Sequence, residues 1–239
     1  YASWTFRKAP KFFDVVTYTG NGVAGREIAH NLGTTVGSIF IKQTNTSGGD
    51  WIVYHRSEAG KRGYLNQTGA FTSSYAEYYY GNNSIVIPPT STEFTVGNAG
   101  GPINASGGTY VAYLFAHNDG DGGFGADGDL DIIKCGSYTG TGAEVDVDLG
   151  FEPQWILTRR ADDPDDWYMV DTMRGVVTTG DDAYLRANLT SAEGTGVDIL
   201  DVTATGFKTK VSSRHTNGGN FIYMAIRRGT KVPESATEV

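Results

Sequence analysis

One string of short apolar runs and turns occurs twice in this chain, in the same order and at nearly the same spacing, and that repeat limits the fold more than any single residue does. Tyr18-Thr19-Gly20-Asn21-Gly22 returns as Tyr138-Thr139-Gly140-Thr141-Gly142, and Leu32-Gly33 returns as Leu149-Gly150. Ser38-Ile39-Phe40-Ile41-Lys42 answers to Gln154-Trp155-Ile156-Leu157-Thr158, and Asp50-Trp51-Ile52-Val53-Tyr54 to Asp166-Trp167-Tyr168-Met169-Val170. Gly107 to Phe115 matches Gly218 to Ile226, and Tyr1 to Lys8 carries the pattern of Phe221 to Arg228 a third time. The first eight residues are therefore expected to be the closing strand of an upstream unit, or a strand that pairs into the first module. A start at Tyr1 rather than methionine points the same way, to a longer parent chain.

The repeated runs are rich in Val, Ile, Thr and aromatics, and clusters of Gly, Asn, Asp and Pro break them at intervals of about 8–12 residues, which is strand and turn chemistry. Only Ser74 to Tyr80 competes as a turn of helix, and there a strand ending at Gly81-Asn82-Asn83 fits equally well. The expected fold is all-β: two tandem antiparallel β-sandwich modules related by the repeat, with jelly-roll connections as one option. The modules would occupy residues 11–118 and 131–230, with 1–10 the extra strand, 119–130 an acidic, glycine-rich connector and 231–239 the start of a linker.

Longer strings carry a resemblance. Ser3-Trp4-Thr5-Phe6-Arg7-Lys8-Ala9, Phe12 to Gly22, His30-Asn31-Leu32-Gly33, Trp51 to Arg56 and Tyr110 to His117 are similar to a repeated, otherwise uncharacterised domain common in tail and tail-fibre proteins of marine bacteriophages. Asp131 to Tyr138, Gly150 to Trp155, Met173-Arg174-Gly175 and Tyr223 to Arg228 continue the likeness in the second unit, so it covers nearly the whole chain. The resemblance implies a structural or adhesive virion protein, with homotrimers expected by analogy with tail fibres, and it offers no catalytic residues to carry over.

Bulk properties exclude several other classes. A net charge of -8 with no basic stripe argues against nucleic acid held through phosphate neutralisation. No apolar run is long enough to cross a bilayer as a helix, so no membrane insertion is expected. The single cysteine, Cys135, has no partner for an intrachain disulfide. His30, His55, His117 and His215 are scattered singly, without a nucleophile elbow or a metal-ligand spacing, and for His30 and His55, beside turns or strand ends, a surface or turn hydrogen-bonding role is expected rather than catalysis.

Two clusters could carry binding chemistry. Asp119, Asp121, Asp127, Asp129 and Asp131 place five carboxylates within thirteen residues, an oxygen-rich set suited to calcium, although the EF-hand spacing is missing and a solvated hinge is the alternative. No other cofactor is expected. Tyr75, Tyr78, Tyr79 and Tyr80 could stack on sugar rings, against which stand core packing and subunit interfaces. Asp162-Asp163-Pro164-Asp165-Asp166 reads as a wet hairpin tip. The expectation is a non-catalytic virion protein, a rigid spacer in a phage tail or tail fibre that adheres to the host surface. Its partners would be its own copies, other virion proteins and a host glycan. The alternative is a carbohydrate-binding module of a larger secreted or virion-associated enzyme.

Overall fold

Strands form where the sequence alternates or runs apolar between glycine and asparagine turns, and they pair antiparallel throughout. The computed structural model describes residues 3–98, 103–176, 180–211 and 218–229, so Tyr1, Ala2, His215 and the expected linker 231–239 lie outside the described residues. The first half contributes β1 (Phe13–Thr19), β2 (Arg26–Ala29), β3 (Val36–Gln43), β4 (Ile52–His55), β5 (Gly63–Tyr64), β6 (Glu93–Val96) and β7 (Thr109–Ala116). The second contributes β8 (Ile133–Gly140), β9 (Asp146–Asp148), β10 (Pro153–Arg160), β11 (Tyr168–Asp171), β12 (Tyr184–Arg186), β13 (Leu200–Thr203), β14 (Gly206–Thr209) and β15 (Gly219–Arg227). Two single 3-10 turns, Arg56–Glu58 and Ala76–Tyr78, interrupt them, and the second settles the ambiguous tyrosine segment as a turn.

The repeat is legible in the topology. One five-stranded sheet runs β1-β7-β3-β4-β5 and the other β8-β15-β10-β11-β12, the same order of equivalent strands, and a small sheet follows in each half, β2-β6 and β9-β14-β13. Side chains repeat too. Tyr18 stacks on its cross-strand partner Tyr110 at 5.0 Å and meets Phe94 edge-on at 6.2 Å; Tyr138 stacks on Phe221 at 5.1 Å and meets Phe207 edge-on at 6.2 Å. Before β4 the Trp51 N–H donates to Asn66 Oδ1, whose amide donates to Asp50; before β11 the Trp167 N–H donates to Asn188 Oδ1, whose amide donates to Asp166.

A bulge corrects one alignment by a single residue. Pairing with β7 slips between Val36 and Ser38, and pairing with β15 slips between Pro153 and Trp155, so Ser38 corresponds to Trp155 and Phe40 to Leu157. Matching Ser38 to Gln154 would have put the wrong faces together, because a one-residue shift moves every side chain of a strand to the other side.

The two large sheets face each other. On β10, Trp155 and Leu157 turn toward the first half while Ile156 packs with the small sheet of its own half, and on β15 Ile222 and Met224 divide from Tyr223 and Ala225 in the same way. The layers run small sheet, large sheet, large sheet, small sheet, and both central sheets are covered on both faces. Each half thus keeps the two-layered interior of a sandwich, Tyr18 against Phe94 in the first and Ile156 and Tyr223 with Phe207 in the second, and a further apolar layer joins the two large sheets. At one side the sheets nearly touch, since a Cβ added at Gly37 would lie 2.6 Å from the Cys135 sulfur. Each large apolar side chain withdrawn from water in this layer contributes roughly 1.5–3 kcal/mol.

Residues 3–8 form no strand, which corrects the expectation of a closing strand there. Trp4 and Phe6 instead insert their rings between the halves, Phe6 lying 5.4 Å from Phe115 and 5.9 Å from Trp155. Aromatic burial decides the path of this segment, and Lys8 anchors it with a 2.5 Å ion pair to the buried Asp14.

Candidate functional site

The acidic connector is docked rather than free. Asp131 accepts the N–H groups of Gly120 and Gly122, Asp121 accepts the Thr34 hydroxyl at 2.6 Å, and Lys11 donates to the Asp121 carbonyl at 2.7 Å. The Thr34 hydroxyl and the Lys11 ammonium hold the Asp121 carboxyl below the usual carboxylate range. Asp119 lies 3.5 Å from Lys134, while Asp127 and Asp129 are exposed. Asp119, Asp121 and Asp131 thus point to separate partners, and among the described residues no group of three or more acids, histidines or cysteines is arranged to hold a metal. Glycines allow this path: Gly120, Gly123, Gly125 and Gly128 all have positive φ.

The tyrosine run splits. Tyr80 is 1 % exposed and meets Tyr54 edge-on at 5.5 Å, so it belongs to the core. Tyr79 and Tyr64 flank the Arg62 guanidinium at 4.5 and 5.0 Å. Tyr75 is 65 % exposed, held at φ 59°, and stacks on Tyr78 at 5.7 Å. Of the four, Tyr75 is exposed, Tyr78 and Tyr79 are half-buried and Tyr80 is sealed.

The described histidines, His30, His55 and His117, are buried, and of the surface or turn roles expected for His30 and His55 the turn role is the one they take. His55 Nδ1 accepts the Ser57 N–H, and Nε2 lies 3.1 Å from the Tyr223 carbonyl across the shared layer, which fixes the neutral Nε2–H form. Burial pushes its pKa down to about 4. His117 accepts the Cys135 N–H and is likewise pushed down to about 4 by burial, with Arg56 adding to the effect. His30 accepts the Leu32 N–H. Burial raises the Cys135 thiol well above its usual range, so it stays protonated and inert.

Arg159 and the Asp162–Asp166 tip tie the halves together. Fully buried, Arg159 donates to the carbonyls of Thr68 at 2.9 Å and Gly69 at 2.8 Å, with Gln67 at 3.3 Å, and its guanidinium lies 5.1 Å from the Trp167 ring. Desolvation pulls its pKa down to about 10, opposed by Asp165 and Asp166. Trp167 Nε1 donates to the Tyr64 carbonyl at 2.7 Å, and the Asp165 N–H donates to Thr68. The tip is wet, as expected, at Asp162, Asp163 and Pro164, but Asp165 is 5 % exposed because it sits against the first half.

Where the large sheets diverge they leave an apolar cleft of about 480 Å³, lined among others by Phe13, Phe40, Trp51, Tyr113, Trp155, Leu157, Met169 and Met224. A second hollow of about 610 Å³ lies beyond Trp4 and Phe6 and adds Gln154, Asp171 and Arg174. Sequence reasoning missed this cleft. Its signal was the runs Ile39-Phe40-Ile41 and Trp155-Ile156-Leu157, apolar at successive positions, which a strand with one wet face does not need.

No curated protein matches the chain. A solved structure described as "Crystal Structure of the STIV MCP" is 8 % identical, with 90 % of this chain and 85 % of that one covered, at a TM-score of 0.21, which carries no argument about either fold or role. The model of a family described as "Domain of unknown function (DUF7483)" matches residues 8–228, both halves in one span, and the chain belongs to that family.

Proposed function

We propose that the protein is a non-catalytic structural part of a virion, a section of phage tail or tail fibre that acts as a stiff spacer and displays loops to the host surface. The observation that carries this reading is the shared layer. Arg159, Trp167 and His55 all bond across it, so the duplicated halves move as one body instead of flexing at the connector. Association with further copies as a trimer and with other virion proteins belongs to the same proposal. Labelling intact particles with an antibody raised against residues 8–228 tests it. Gold at the tail or fibre, with loss of host adsorption, is the expected result, and unlabelled particles would overturn it.

A second reading, a carbohydrate-binding module, is favoured by Tyr75, which is exposed and stacks on the half-buried Tyr78. Aromatic faces open to solvent suit the C–H face of a sugar ring. On a glycan array, binding that disappears on Tyr75→Ala and Tyr78→Ala supports it, and silence across the array removes it.

A further inference from the structure

We propose that the cleft between the two central sheets binds an elongated apolar ligand bearing a hydrogen-bond acceptor, the chemistry of an acyl chain that ends in a carbonyl or carboxylate. Protein interiors pack at crystal-like density with few voids larger than a water molecule. An opening of about 480 Å³ among aromatic and aliphatic side chains falls instead in the range of ligand sites.

Trp155 supplies the second observation. It lines both hollows, is 7 % exposed, and its indole N–H is buried without a hydrogen-bond partner. The Trp167 indole, by contrast, donates to the Tyr64 carbonyl. A buried donor without an acceptor costs about 1–3 kcal/mol by general experience, and a ligand acceptor beside Trp155 removes that cost. The equivalent place in the first half holds Ser38, whose hydroxyl donates to the Tyr54 carbonyl, so the open donor belongs to the second half alone.

Polarity orients the ligand. The first hollow is lined by aliphatic and aromatic side chains with Thr5 and no charged residue, whereas the second brings Gln154, Asp171 and Arg174. The alkyl body therefore lies between the sheets, and the acceptor end sits beside Trp155 toward the second hollow. Residues 3–6 separate the two hollows. Among the described residues the main chain of 3–8 makes no hydrogen bond, so side chains alone hold this segment and a ligand can displace it without breaking a ladder.

The test is calorimetric titration of the whole chain with decanoate and with butylbenzene, which has no acceptor. Saturable one-to-one binding of both is expected. Trp155→Phe should weaken decanoate about five- to tenfold, the loss of one hydrogen bond, and leave butylbenzene unchanged. Ala187→Trp and Met169→Trp, which fill the cleft, should abolish both at an unaltered melting temperature. Should these variants fail to fold, the wild-type protein still decides: decanoate must move the Trp155 indole proton resonance downfield, and butylbenzene must not. Phosphatidylcholine vesicles form a parallel arm, in which co-sedimentation marks a bilayer as the source of the chain and binding of free decanoate alone a soluble one; either supports the site. Absence of binding by both probes, binding that survives in folded cleft-filling variants, or equal weakening of the two probes in Trp155→Phe would overturn it.

Discussion

Lys42 in the first half and Arg159 in the second stand at the same place on the same strand, yet one is half-buried at a loop and the other is sealed between the halves. Lys42 Nζ donates to the carbonyls of Gly48 and Gly49 in its own half. Arg159 reaches into the opposite half for Thr68 and Gly69. Trp51 and Trp167 diverge similarly: both begin the same Asp-Trp clasp, but Trp51 stacks on Tyr113 at the open side of the layer and stays partly exposed, while Trp167 is 2 % exposed. Duplication fixed the backbone of each half, and the asymmetric contact between them then gave equivalent positions different tasks. A planar guanidinium with five donors suits a fixed set of carbonyls where a flexible ammonium suits a wet loop.

Substitutions at equivalent positions can break this comparison. The largest effect is expected at Arg159→Ala, about 3–5 kcal/mol of stability by denaturant titration, because buried carbonyls lose their donors, against less than about 0.5 kcal/mol for Lys42→Ala. Equal losses would mean that Arg159 is not sealed in the layer. Trp167→Ala should follow at about 3–5 kcal/mol, well above Trp51→Ala at roughly 1–2 kcal/mol.

Protonation gives the next step. His55 titrates in the folded state at about 4, below its unfolded value near 6.5. Its contribution is therefore complete above pH 6.5 and is lost as pH falls toward 4, because the unfolded chain binds a proton that the fold refuses. Melting temperatures recorded from pH 7 to pH 4 should drop, and His55→Gln should flatten that drop by on the order of 2 kcal/mol. Asp171, the matching residue of the second half, makes an ion pair with Arg174 at 2.7 Å instead. The smallest effect is also the most symmetrical. Asn66→Ala and Asn188→Ala remove the same clasp and should each cost about 1 kcal/mol, and a clear difference between them would show that the clasp is not equivalent in the two halves.

Much of this fold is readable from the sequence, for reasons local to particular residues. The Tyr-Thr-Gly strings give β1 and β8, the Asp-Trp pairs mark the entries to β4 and β11, and the all-β class follows from short runs between turns. What stayed hidden depends on contacts between distant segments. A bulge that shifts the register at Gly37 and Gln154 leaves no mark in an apolar pattern. Trp4 and Phe6 look like strand residues because rings suited to a strand suit a cleft equally well. Burial of His55 and Arg159 follows from the docking of one half on the other, which neither half's own sequence states. The same holds for the candidate sites: the acidic and tyrosine clusters were visible as strings, and their division among separate partners was not.

The account rests on two halves that share one buried layer and so unfold together. Differential scanning calorimetry of the whole chain tests this most directly. One transition is predicted, with a calorimetric enthalpy equal to the van't Hoff value. Two resolved transitions, one of them unmoved by Arg159→Ala, would show that each half is stable alone and would contradict the shared layer.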